Sequence, residues 1–162
     1  MPTTSTVLAT FVDPADGMRV ATVIGSGFPV SFDTLGSDEG GAAASPTDTV
    51  LAALAACTAM DVAGILRKKR QVVDRYQVAV SATKADEHPK VFTSIVVEHQ
   101  VSGDVTAEAV RRSIELSATA YCPVSAMLSA SVPIEHRYAI RHDDTEEPAE
   151  SVLVVTTGPA ER

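Results

Sequence analysis

Ser45-Pro46-Thr47-Asp48-Thr49-Val50-Leu51-Ala52-Ala53-Leu54-Ala55-Ala56-Cys57-Thr58-Ala59-Met60-Asp61-Val62 carries its own start signal and its own periodicity. Ser45 suits the N-cap. Pro46 fits the first turn, where a missing N–H costs nothing, and Asp48 can reach back as the acidic member of a capping box. Val50, Leu51, Leu54, Cys57, Thr58, Val62, Ile65 and Leu66 then recur at helical spacing. The helix is expected to run to about Arg70, where Arg67-Lys68-Lys69-Arg70 complements the negative end of the dipole. Alanine on most sides makes it weakly amphipathic, which predicts a central helix surrounded by other elements. Its apolar length raises a membrane question. Asp61 interrupts it and alanine dominates it, whereas a span needs roughly 20 strongly apolar residues, so a buried helix is expected.

Working outward, the N-terminal third reads as β. Thr6–Val12, Arg19–Val23 and Pro29–Asp33 are short apolar or alternating runs, parted by Asp13-Pro14-Ala15-Asp16-Gly17 and Gly25-Ser26-Gly27. Beyond the helix, Tyr76–Thr83 and Val91–Val101 alternate at period two and are joined by Asp86-Glu87-His88-Pro89-Lys90 as a hairpin loop. Asp104-Val105-Thr106 opens a second helix. Residue 122 precedes a proline and is pushed out of the α region, so a break and a short helix to about Ser129 follow. Pro133–Ile140 is the last alternating run. The order β-β-β, α, β-β, α-α, β predicts an α+β fold with mostly antiparallel sheets. We expect one domain over residues 1–141. Residues 142–162 form an acidic tail, solvated in part, with Val152-Leu153-Val154-Val155 able to add an edge strand.

The net charge of −8 argues against nucleic acid or an anionic membrane as partner, because both need clustered positive charge. Met1-Pro2-Thr3-Thr4-Ser5-Thr6 lacks the charged and apolar regions of a signal peptide. With two cysteines and no export signal, the expected compartment is the reducing cytoplasm, where a disulfide would be transient.

The two cysteines sit in opposite settings. Cys57 falls in mid-helix, while Cys122 precedes Pro123 at a helix start, where the dipole and orphan N–H groups favour thiolate. Should they meet in space, they suit a dithiol/disulfide cycle; otherwise both are small core residues. Asp61, one turn past Cys57, is either a polar residue at a helix junction or part of the site. Glu115 could steady a cation or be a solvated helix residue. His88, His99, His136 and His142 are dispersed, and neither Cys-x-x-Cys nor His-x-x-x-His occurs, so no metal site is expected. No glycine-rich phosphate loop or serine elbow is present, so no cofactor is expected.

Taken together, Ser45-Pro46, Ala55-Ala56-Cys57-Thr58-Ala59-Met60-Asp61-Val62, His88-Pro89-Lys90-Val91-Phe92 and Tyr121-Cys122-Pro123-Val124-Ser125-Ala126-Met127-Leu128 resemble the OsmC/Ohr family, most of all its YhfA-like branch. This family includes osmotically inducible protein C and the organic hydroperoxide resistance proteins. The resemblance implies an OsmC-like fold, with sheets wrapped around two central helices in an intertwined homodimer. It implies a thiol peroxidase in which Cys57 attacks the hydroperoxide, Cys122 closes a disulfide, and a lipoyl-type dithiol restores both. In the hydroperoxide-resistance branch, an arginine from the N-terminal β region supports the attacking thiol, steadied by a glutamate near the start of the central helix. Here Thr47 stands at the glutamate position, leaving Asp48 as the nearest acid and Arg19 as the sole arginine before residue 67. The alternative is a non-catalytic dimer of the same fold that binds a small apolar ligand.

Overall fold

The computed structural model describes residues 3–12, 18–34, 42–141 and 150–160. Contacts divide the chain into two compact units, Met1–Val50 and Leu51–Arg162. In the first, β1 (Val7–Phe11), β2 (Val20–Ile24) and β3 (Pro29–Phe32) form an antiparallel sheet in that order. Gly27, at a φ of 86°, turns the chain between β2 and β3, and its N–H donates to the Ile24 carbonyl at 2.7 Å. Thr22 is buried and donates its hydroxyl to the Val30 carbonyl at 2.8 Å. Much of this sheet's apolar surface is open: Leu8 is 70% exposed and Val7 63%.

Helix α1 spans Pro46–Lys68. The Ser45 carbonyl accepts from both the Thr49 N–H (3.0 Å) and the Thr49 hydroxyl (2.9 Å), which anchors the first turn. At the other end Arg70 takes a left-handed φ of 58°. The Arg70 N–H then reaches the Arg67 carbonyl and the Gln71 N–H the Leu66 carbonyl, a Schellman closure built without glycine. By length and apolar composition α1 could cross a membrane. In this structure Leu54, Thr58, Val62 and Leu66, spaced by four, form one fully buried stripe. Full burial within the chain is confined to that stripe, with Cys57 and Asp61 half-buried beside it and Met60 76% exposed.

The second unit carries a four-stranded sheet in the order β4 (Val72–Lys84), β5 (Phe92–Asp104), β6 (Ile134–Arg141), β7 (Val152–Thr157). Strands β4 and β5 form a long antiparallel hairpin, and β6 and β7 are also antiparallel. Between them β5 and β6 run parallel, and a parallel pair needs a long crossover. That crossover is α2 (Ala107–Leu116), a π-helical segment (Ser117–Tyr121) and α3 (Pro123–Leu128). Thr106 caps α2 by accepting the Ala109 N–H. Gly103, at a φ of 128°, sits opposite a bulge in β4, where an added Cβ would meet the Val72 carbonyl and lie 2.8 Å from the Asp74 nitrogen.

Residues 95, 97, 99 and 101 of β5 and 134, 136 and 138 of β6 are buried, as expected of a half-buried strand face. Two apolar clusters lie on this face. Val62 and Leu66 of α1 join Val101, Val110, Ile114 and Tyr138 in one, while Leu54 joins Ile95, Val97, Cys122, Val132 and Ile134 in the other. The expected acidic tail falls in part on residues 142–149, which lie outside the described residues; β7 then pairs along the sheet's edge.

Candidate active site

The buried stripe of α1 sets the orientation of Cys57, which lies beside it, half-buried, against the cluster around Leu54. Cys122 arrives by another route. The π-helical segment ends where the Cys122 N–H reaches back to the Ser117 carbonyl at 2.9 Å. Cys122 itself is extended (φ −73°, ψ 106°), as a residue before proline should be. It caps α3: its Sγ accepts the Ser125 N–H at 3.3 Å.

These two routes converge. The Cys57 and Cys122 sulfurs and an Asp61 carboxylate oxygen all lie within 4.8 Å of one another, and both thiols are free. Ser117 donates to Asp61 Oδ2 at 3.1 Å, and its oxygen stands 3.1 Å from the Thr58 hydroxyl, so a buried pair of hydroxyls holds the carboxylate. Asp61 is thus a hydrogen-bonded polar residue at a helix junction, the structural reading of the sequence, and its carboxylate also lies beside the two thiols. Glu115 instead pairs with Arg112 (3.0 Å) and Arg111 (3.4 Å) along α2.

The expectation of a readily ionised Cys122 fails. Burial pushes its thiol up to about 11, against the Ser125 N–H, which favours thiolate; the hydrogen bond to Cys57 raises it further. A helix start on a six-residue helix does not offset desolvation at 3% exposure. Arg19 is exposed just before β2, and Asp48 is exposed in the first turn of α1; both belong to the unit Met1–Val50.

Sequence reading missed what lies next to this site. The phenol of Tyr76 is 2.6 Å from His99 Nδ1, and the His99 ring stacks with that of His136 at 6.3 Å. Burial, and then the Asp61 carboxylate, raise the Tyr76 phenol well above its ordinary value, so it stays protonated. Burial, and then His136, hold His99 down at about 3, while burial holds His136 at about 4. His99 and His136 are therefore neutral rings in a buried row. Their period-two places on inward strand faces were readable; the parallel pairing of β5 with β6, which joins them, was not.

With this geometry in hand, similarity to known proteins decides the family. The profile of the OsmC-like proteins matches residues 36–137. Protein YhfA of Escherichia coli K12 is 38% identical over 116 residues, covering 71% of this chain and 84% of its own. This chain belongs to the OsmC-like family. The fold agrees: the OsmC-like protein of Mycoplasma pneumoniae superposes with a TM-score of 0.74 at 13% identity, over 88% of this chain and 100% of that one. An organic hydroperoxide resistance protein OsmC from Legionella pneumophila gives a TM-score of 0.62 at 15% identity, over 84% of this chain and 96% of its own. The matched residues 36–137 contain Cys57, Asp61 and Cys122.

Proposed function

We propose that this OsmC-like chain is a cysteine-based peroxidase that reduces organic hydroperoxides in oxidative-stress defence. The observation that carries the reading is the pair of free thiols brought within 4.8 Å, one half-exposed and one buried. Membership of a family with organic hydroperoxide resistance proteins supports the substrate class. Cys57 is the sulfur a peroxide can reach, and Cys122, protonated at neutral pH, is held back for the second step.

In the first step the Cys57 thiolate attacks the outer oxygen of ROOH, the O–O bond breaks, and the alkoxide takes a proton to leave as ROH. Cys57 is then a sulfenic acid. In the second, the Cys122 sulfur attacks that of Cys57, the S–O bond breaks, and the hydroxide leaves as water with the Cys122 proton. The two electrons spent on the peroxide come from the dithiol, and an external dithiol of lipoyl type returns them by exchange. Arg19 and Asp48 are the supporting candidates for the positive charge that Cys57 needs and for its anchor. The apolar surface left open on β1–β3 and at Met60 supports assembly as a homodimer, and the expected compartment is the cytoplasm.

Consumption of cumene hydroperoxide with a dithiol reductant tests the reading. Cys57→Ser is expected to abolish turnover, and Arg19→Ala to slow it. Wild-type turnover by Cys57→Ser contradicts the assignment, whereas no turnover by the wild-type chain leaves the non-catalytic, ligand-binding reading.

A further inference from the structure

The same three side chains that suit a redox cycle also satisfy a second chemistry. Zinc in proteins takes sulfur ligands at about 2.3 Å in a tetrahedron, which sets two ligating sulfurs about 3.8 Å apart. Cys57 Sγ, Cys122 Sγ and an Asp61 oxygen already lie within 4.8 Å of one another. About 1 Å of side-chain adjustment separates this arrangement from three corners of such a tetrahedron. The ligands stand on α1 and at the start of α3, so no loop has to be ordered to form the set.

We propose that the reduced Cys57–Asp61–Cys122 group binds one thiophilic divalent cation, with zinc as the representative ion.

Its surroundings fit that role. A metal-binding carboxylate is usually oriented by a hydrogen bond to its other atoms, and Ser117 donates to Asp61 Oδ2 while bridging to Thr58. A metal-binding thiolate is stabilised by N–H donors, and Cys122 Sγ already accepts from Ser125. Cys57 and Asp61 are half-buried rather than sealed, which leaves an entry path and a fourth position for water. Two sulfurs and one carboxylate select zinc or cadmium over magnesium or calcium, which prefer all-oxygen shells. Cys-x-x-Cys spacing does not reveal such a set, because its members come from two distant helices.

Any proton that the two sulfurs carry leaves to solvent as the two metal–sulfur bonds form. The regulatory consequence rests on the peroxidase reading. While the cation holds both sulfurs, neither is free to attack, so the loaded site is shielded. Oxidation follows loss of the ion: the metal-free dithiol and ROOH give the disulfide, ROH and water, and the disulfide cannot take the ion back.

The reduced, metal-free chain is titrated with Cd²⁺ and with Zn²⁺ without peroxide, reading thiolate-to-cadmium charge-transfer absorption, stoichiometry and proton release. One ion per chain is expected, with proton release accompanying binding. Cys57→Ser and Cys122→Ser should each lower affinity at least about 100-fold, and Asp61→Asn about 10-fold. The wild-type disulfide form should bind no ion; this control does not depend on any variant folding. Wild-type affinity in either serine variant, or an ion bound by the disulfide form, overturns the site. A chain that binds zinc but consumes no hydroperoxide contradicts the peroxidase alone. A chain that turns over peroxide but binds no cation contradicts the metal site alone.

Discussion

Cys122 is pulled two ways, and its surroundings decide between them. The Ser125 N–H favours its thiolate, while desolvation favours its thiol, and desolvation wins at about 11. On the proposed peroxidase cycle, Cys122 waits until Cys57 is already oxidised. Cys122→Ser should therefore leave Cys57 without a partner and let excess peroxide carry it to sulfinic acid, read as two added oxygens by mass spectrometry. A Cys57 that stays reduced in that variant would contradict the order of events. Ser117 is the structural hinge of the site: its hydroxyl meets both Thr58 and Asp61 in the interior. Ser117→Ala should cost about 1–3 kcal/mol in chemical denaturation, because Thr58 then lacks its partner. A loss below about 0.5 kcal/mol would show that the pair bears little load. The cysteines could be singled out in the sequence because their settings differ. Ser117 could not, since a serine in a run of small residues gives no periodic signal and its partners lie on another helix.

Among the elements, α1 has the clearest start and the least comfortable end. Arg70 occupies a left-handed position that suits glycine. Arg70→Gly should keep the Schellman closure and raise stability by up to about 1 kcal/mol, the steric relief being partly offset by chain entropy. A clear loss would contradict this view of the helix end. Gly103 is the opposite case, since both its φ and the nearby Val72 carbonyl exclude a side chain. The strands were legible from alternation at their centres, but β4 begins at Val72 rather than Tyr76. Its first residues include Asp74 and Arg75, whose polarity hides a strand held by pairing across the hairpin. The π-helical segment also escaped the sequence reading. Ser117-Ala118-Thr119-Ala120-Tyr121 contains neither proline nor glycine to mark the change of ladder, though that change delivers Cys122 to the site.

At the scale of the molecule, the buried His99–His136 pair couples stability to acid. Both rings are neutral when folded, at about 3 and about 4, against an ordinary value of 6.5. The unfolded chain thus binds more protons between these values, so the contribution is present above 6.5 and is lost as pH falls towards 4 and 3. Tm should fall steadily from about pH 7 to about pH 4. His136→Phe should flatten that slope and keep stability at neutral pH, since both ring nitrogens of His136 lack a hydrogen-bond partner among the described residues. An unchanged slope would place the acid response elsewhere. The open apolar face of the first sheet predicts a dimer in sedimentation. The α+β class and the element order could be read from the chain, because helical and strand periods are local. Which strands pair, and that β5 meets β6 in parallel, depend on a crossover whose path no local pattern records.

The central claim is that sulfurs 57 and 122 belong to one reacting pair within one chain. It is tested most directly by adding one equivalent of cumene hydroperoxide to the reduced protein and mapping its thiols by peptide mass spectrometry. The account predicts loss of both thiols and an intrachain Cys57–Cys122 link, the chain lighter by two hydrogens. A disulfide between chains, or Cys57 carrying oxygen while Cys122 remains a free thiol, would contradict it.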